Sequence, residues 1–217
     1  MKNKVLVVNG MSYNGIMSEI GDVTNSIKEF FKNSDKFKAV LFTGGEDVSP
    51  KLYGHRSPKG FCSSSLSRDM EEMEIFSAAL AASIPCLGIC RGFQFLNVMS
   101  GGTMIHHASN HAGSVHDVTT IYGETFQTNS LHHQIVVPNE KNSEIIAWSK
   151  NHLSDYYYGD MDEKIDSPDK EVESAFFKKT NSFGVQWHPE FMNKNSDGYI
   201  WFVEMVDKFV SNKHITV

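Results

Sequence analysis

The sequence of 217 residues predicts an α/β fold, helices packed on a mostly parallel central sheet with functional groups at the carboxyl ends of the strands. Three stretches carry that prediction. Lys4 to Asn9, KVLVVN, is a short β-branched run of the kind that fills the middle of a parallel sheet. A helical pattern and a second strand follow it and end in Thr43-Gly44-Gly45-Glu46-Asp47, where paired glycines let the backbone turn tightly and present N–H groups. A further strand-to-helix passage, from Ile84 to Gly102, folds about Gly88-Ile89-Cys90-Arg91-Gly92.

Composition narrows the class before any motif is weighed. With 40% hydrophobic and 21% charged residues the chain is an ordinary globular one, and 1–217 is expected to form a single domain. A net charge of -6 with scattered lysines argues against nucleic acid as a ligand. No apolar run reaches the length of a membrane span, and MKNKVLVVNG has too short an apolar part for a signal peptide. A cytoplasmic location is therefore expected, with no membrane partner. Three cysteines, Cys62, Cys86 and Cys90, are too few for a disulfide framework and read as reduced thiols.

In chain order, Gly10 ends the first strand. From Ser18 to Phe37 the apolar residues Ile20, Val23, Ile27, Phe30 and Phe31 recur at helical spacing and predict one helix. Ala39 to Phe42 is the second strand, and Ser49 to Ser67, rich in Ser, Pro, Gly and Lys, a long loop. Arg68 to Ser83 places Met70, Met73, Ile75, Phe76, Ala79 and Leu80 on a helical face. Beyond Gly102, strands are predicted at Val115 to Tyr122 and Ile135 to Val137. His106, His107, His111 and His116 show no known zinc-ligand spacing and read as surface or core histidines, so no metal is expected. Lys150 to Lys170 is acidic and tyrosine-rich and reads as an excursion outside the core. Val172 to Lys178 and Phe183 to Gln186 form a hairpin about Thr180-Asn181-Ser182, and Tyr199 to Val210 is a closing amphipathic helix.

The chemistry centres on Cys90. Gly88-Ile89-Cys90-Arg91-Gly92 matches the elbow that lifts a nucleophile out of a strand-to-helix turn, where flanking side chains would not fit. The first N–H groups of the following helix favour a thiolate there. Taken alone, Cys90 reads equally as a small buried hydrophobe. A cysteine nucleophile wants a base, and the base an orienting group. His188 and Glu190, two apart on an extended segment stiffened by Pro189, project to one side and suit those roles. His188 in isolation would read as a structural histidine; together with the elbow the pair points to nucleophilic catalysis.

The chain resembles the class I glutamine amidotransferase-type hydrolases, and within them the branch of γ-glutamyl-γ-aminobutyrate hydrolases, the peptidase C26 group. The resemblance rests on GGEDVSPKLYG at 44–54, RDMEE at 68–72, LGICRGFQFLNVMSGG at 87–102, NSLHHQ at 129–134 and GVQWHPE at 184–190. It implies a flavodoxin-like three-layer α/β/α sandwich and a Cys-His-Glu triad at Cys90, His188 and Glu190. It implies an oxyanion hole from backbone N–H groups of Gly44, Gly45 and Arg91, such donors being worth ~10²-fold or more in rate. Gln94, Ser130 and His132 match positions that hold the amino-acid end of a glutamyl substrate. Two departures stand out. One helix, where the family has a further strand and helix, predicts a sheet shortened at its N-terminal edge. The excursion at 150–170 replaces a short Asp-Gly turn and is placed to cover the site or dock a partner.

The expected activity is hydrolysis of a γ-glutamyl amide through a Cys90 thioester, with a small glutamyl substrate and no metal or organic cofactor. The alternative is a glutaminase subunit that passes ammonia to a separate synthetase as its partner. A third reading, a catalytically inactive binding protein, has every triad position against it.

Overall fold

The computed structural model describes residues 3–57 and 60–211. Nine strands form the central sheet. β1 (Lys4–Val8) lies between β2 (Asp22–Thr24) and β3 (Phe37–Phe42), and β3 pairs in turn with β4 (Cys86–Ile89), all parallel. Past two short strands, β5 (Thr103–Ile105) and β6 (His107–Ala108), the chain enters the hairpin of β7 (Ser114–Thr120) and β8 (Thr125–Ser130). β9 (Ile135–Val137) pairs with β5, and β10 (Ser143–Ser149) returns to the main sheet. β11 (Tyr157–Tyr158) and β12 (Lys164–Ile165) join β6 in a small sheet. β13 (Val172–Phe177) and β14 (Ser182–Val185) form the expected antiparallel hairpin, and β14 lies parallel to β4. The order is β2-β1-β3-β4-β14-β13-β10-β7-β8.

Alternation along the strands builds two cores. Val5, Val7, Ala39, Leu41, Leu87 and Ile89 face one side, while Leu6, Val8, Val40, Phe42 and Cys86 face the other. On the first side lie α1 (Asn14–Met17) and α5 (Asp197–Val210). α5 buries Trp201, Phe202, Met205 and Val206, each worth roughly 1.5–3 kcal/mol. The second side is covered by α2 (Ile27–Lys32), α3 (Leu66–Ala81) and α4 (Arg91–Met99), through Phe30, Ile75, Phe76, Phe93 and Leu96. This is the three-layer α/β/α sandwich expected.

Two regions differ from the sequence reading. The single helix predicted over Ser18 to Phe37 is a turn, the edge strand β2 and the short helix α2, with α1 ending just before it at Met17, so the strand and helix expected to be missing are present, though short. Gly21 passes so close to the chain that a Cβ there would lie 2.3 Å from the Asn3 carbonyl oxygen. Val23 and Thr24 then pair with β1, and Ser26 restarts a helix by accepting the Glu29 N–H at 3.1 Å. The 150–170 segment is an excursion exposed over most of its length, but it is anchored to the body of the protein. Tyr157 and Asp162 are buried, and Asp162 accepts from Ser57 Oγ at 2.9 Å, which ties the segment to the 55–57 loop. No helix among the described residues is long and apolar enough to cross a membrane.

Candidate active site

Cys90 sits where β4 becomes α4, at φ 53° and ψ -112°. A non-glycine residue in that region is strained and persists only where its surroundings fix it. Here its N–H donates to the Val185 carbonyl at 2.8 Å, and its carbonyl accepts from Gln94 N–H at 3.1 Å. The turn is as tight as the elbow pattern requires: a Cβ on Gly92 would lie 2.0 Å from the Phe42 carbonyl oxygen, and one on Gly88 2.5 Å from the Phe93 nitrogen.

β14 delivers the partner groups, since Trp187-His188 continues from the strand beside β4. His188 Nδ1 lies 2.6 Å from Glu190 Oε1, and the Glu190 carboxyl is almost fully buried. Burial alone would lower the His188 pKa, but interaction with Cys90 and then with Glu190 carries it up to about 10. The imidazole is thus held protonated between sulfur and carboxylate. Asn129, at the end of β8, fixes the backbone of His188 with a pair of 2.8 Å bonds: its Oδ1 accepts the His188 N–H and its Nδ2 donates to the His188 carbonyl.

The Gly44-Gly45 turn closes over the same point. A Cβ on Gly44 would lie 2.5 Å from the Tyr13 hydroxyl, 2.9 Å from His188 Cε1 and 3.7 Å from Cys90 Cβ, so only a hydrogen fits where these groups converge. Gly45 has φ +145°, and a Cβ there would stand 2.1 Å from Arg68 Nη1. Arg68 Nη2 donates to the Thr43 and Gly44 carbonyls at 3.2 and 3.0 Å, clamping the turn from outside. Behind it Glu72 bridges Arg68 and Arg91, and Asp69 pairs with Arg91, the three charges at Asp69, Glu72 and Arg91 being buried. The RDMEE block therefore links the Gly-Gly turn to the residue after Cys90.

Of the expected site residues, Cys90, His188, Glu190, Gly44 and Gly45 come together, with Arg91 next to Cys90. Gln94, one turn into α4, is buried and its Nε2 donates to Gln186 Oε1 at 3.4 Å. Ser130 is buried at the end of β8. His132 turns into the interior, Nδ1 donating to the Gln134 carbonyl at 2.9 Å and Nε2 standing 3.5 Å from Glu173 Oε1. Sequence reasoning missed Tyr13, Arg68 and Asn129. Arg68 and Asn129 lay inside quoted blocks without a role, and nothing around Tyr13 signals that its hydroxyl meets the Gly-Gly turn.

An elbow cysteine with a histidine-carboxylate pair just beyond the end of the neighbouring strand of a three-layer sandwich points to a glutamine amidotransferase-like enzyme. The comparisons agree. The chain belongs to the peptidase C26 family, whose profile matches residues 16–190. A glutamine amidotransferase-like protein of Lactococcus lactis is 30% identical over 189 residues, covering 78% of this chain and 71% of that one. The γ-glutamyl-CDP-amidate hydrolase of Campylobacter jejuni is 32% identical over 153 residues, 70% of this chain and 62% of the relative. A glutamine amidotransferase structure from Thermotoga maritima shares the fold with a TM-score of 0.59 at 14% identity, covering 100% of this chain and 87% of that one.

Proposed function

We propose that the protein hydrolyses a γ-glutamyl amide through a thioester on Cys90, with His188 and Glu190 completing the triad. The observation that carries this reading is the position of His188, protonated up to about pH 10 between the Cys90 sulfur and the Glu190 carboxylate. A sulfur beside an imidazolium has the counter-charge a thiolate nucleophile needs. Cys90 Sγ bonds to the γ-carbonyl carbon, and the carbonyl oxygen takes the negative charge. When the C–N bond breaks, the His188 proton goes to the departing amine or ammonia. Water then attacks the thioester, gives its proton to the neutral His188, and leaves as the carboxyl of glutamate while the sulfur departs. Glu190 keeps the imidazole in one tautomer and steadies its charge. The Arg91 N–H and the Gly44-Gly45 turn supply the donors for the oxyanion. Gln94 and Ser130 grip the amino-acid half, and His132 backs the wall behind them. The chemistry names no cofactor, and the Campylobacter jejuni relative extends the range of leaving groups to consider beyond ammonia.

One observation favours the second reading, a glutaminase subunit activated by a synthetase. The Gly44 N–H donates to the Tyr13 hydroxyl at 3.0 Å, so one donor of the turn is already engaged. A partner that drew Tyr13 away would release it. The test is turnover of glutamine and a panel of γ-glutamyl amines by the isolated chain. Steady glutamate release whose rate depends on the leaving group supports the stand-alone hydrolase. A trace that rises by orders of magnitude on adding a synthetase or cell extract supports the subunit.

A further inference from the structure

A second polar cluster, which shares His132 with the wall proposed for the glutamyl half, gathers about Glu173 on β13. His111, from the turn before β7, His116 on β7, His132 from the β8–β9 connection and Glu173 on β13 are all buried. His111, His132 and Glu173 each offer a donor atom within 4.8 Å of the other two. About Glu173 Oε1 the nitrogens stand at 3.2 Å (His116 Nε2), 3.5 Å (His132 Nε2) and 3.9 Å (His111 Nδ1). A tetrahedral zinc with bonds of about 2.0–2.1 Å spaces its donors by roughly 3.4 Å. The His116 and His132 nitrogens stand near that spacing from Glu173 Oε1, and His111 Nδ1 lies somewhat beyond it.

The hydrogen-bond roles point the same way. His132 Nδ1 faces the Gln134 carbonyl, a pure acceptor, at 2.9 Å and must carry the proton. In the neutral ring Nε2 then turns a lone pair toward the Glu173 carboxylate, two acceptors facing each other unless a cation stands between them. His111 stands between two carboxyl groups, with Nε2 3.3 Å from Glu171 Oε1 and Nδ1 3.9 Å from Glu173 Oε1. Both nitrogens of His111, Nε2 of His132 and both oxygens of Glu173 are buried with no hydrogen-bond partner of acceptable geometry, an expensive arrangement for a protein interior.

Charge closes the argument. Glu171 is fixed by the N–H groups of Leu153 and Ser154 and by the Tyr157 hydroxyl, at 2.8, 3.1 and 2.8 Å. Glu171 and Glu173 bring two buried carboxyl groups to the pocket, whose charge one divalent ion would offset. Glu171 behind His111 is the carboxylate–histidine arrangement that orients metal ligands.

We propose that His111, His132 and Glu173 bind a zinc ion, with His116 completing or bracing the set through Glu173. The three donors come from three separate segments, with His116 on a fourth, which is why the spacing of His106, His107, His111 and His116 concealed them. The ion would be structural. It would fasten the 111–116 turn and the 131–134 connection to β13, whose Glu173 carbonyl accepts from Gln186 N–H at 2.8 Å, two residues before His188.

The test is the metal content of the intact chain, purified without a polyhistidine tag and dialysed against a weak chelator. About one zinc per chain is expected, with visible d–d bands when cobalt replaces it. Glu173→Gln and His111→Ala should lose that stoichiometry, while His152→Ala, at an exposed histidine, keeps it. Should the variants not fold, the wild type decides: chelator-stripped protein should recover one equivalent of zinc and a higher Tm. Failure of the folded wild type to take up zinc, with no shift in Tm, would overturn the proposal. So would an NMR signal from a proton on His132 Nε2 in zinc-treated protein, since that nitrogen could not then be a ligand.

Discussion

The Gly44 N–H donates to the Tyr13 hydroxyl at 3.0 Å, joining the first turn after β1 to the turn after β3 directly over Cys90. Burial, followed by the negative charges of Glu190 and Cys90, raises the Tyr13 pKa far above the ordinary tyrosine range, so the hydroxyl keeps its proton. A substrate oxyanion and this hydroxyl compete for one donor. Tyr13→Phe removes the competitor and is expected to raise kcat severalfold with little change in KM, within the 10²- to 10³-fold that such a donor is worth. A fall in kcat would show that Tyr13 holds the turn in its working position.

The three thiols should separate in reactivity. Burial pushes Cys62 up to about 11 and Cys86 up to about 12, leaving both as thiols at neutral pH. Cys90 has an imidazolium beside it. Iodoacetamide should label Cys90 first, read by peptide mass mapping, and Cys90→Ala should end hydrolysis with an unchanged circular dichroism spectrum. Preferential labelling of Cys62 would contradict the assignment.

The proton on His188 sets a pH dependence. Its pKa is raised in the folded state, so the ion-pair stabilisation is complete below its ordinary value near 6.5 and is lost as pH rises through about 10. The alkaline limb of kcat should follow the same titration. Glu190→Gln removes one of the two charges that raise it, moving the limb to lower pH and costing about 10²-fold or more in kcat. An alkaline limb that stays put would remove Glu190 from the triad.

The buried ion-pair group behind the turn makes a stability prediction. Arg91→Ala takes the cation from buried Asp69 and leaves Glu72 with Arg68 alone, and should cost roughly 3–5 kcal/mol, measured by denaturant unfolding. Arg68→Lys cannot reproduce the two-carbonyl clamp, so it should lower kcat more than it lowers Tm. Equal effects of both substitutions on Tm would contradict that division of labour.

The features legible in the sequence are those whose physics is local. An elbow needs glycines at fixed offsets from its nucleophile, and the His-Pro-Glu segment keeps its pair two apart, although Pro189–Phe191 closes into a short 3-10 turn and is not extended as read from the sequence. Three parts were hidden. In the 18–37 stretch the apolar residues of a turn, a strand and a short helix fell at helical spacing, although Ser26 and Glu29 spelled a helix start. β8 escaped because its inward positions alternate Phe126 with the polar Thr128 and Ser130. The Glu173 cluster gathers residues from four segments, and only the completed sheet brings them together.

The central claim is a covalent glutamyl intermediate on Cys90, and acid quenching during turnover of a slow γ-glutamyl amide tests it most directly. Mass spectrometry of the quenched digest should find one glutamyl group on the peptide bearing Cys90, labile to hydroxylamine and absent from Cys90→Ala. Glutamate released by the wild type with no such adduct, or at an undiminished rate by Cys90→Ala, would contradict the account.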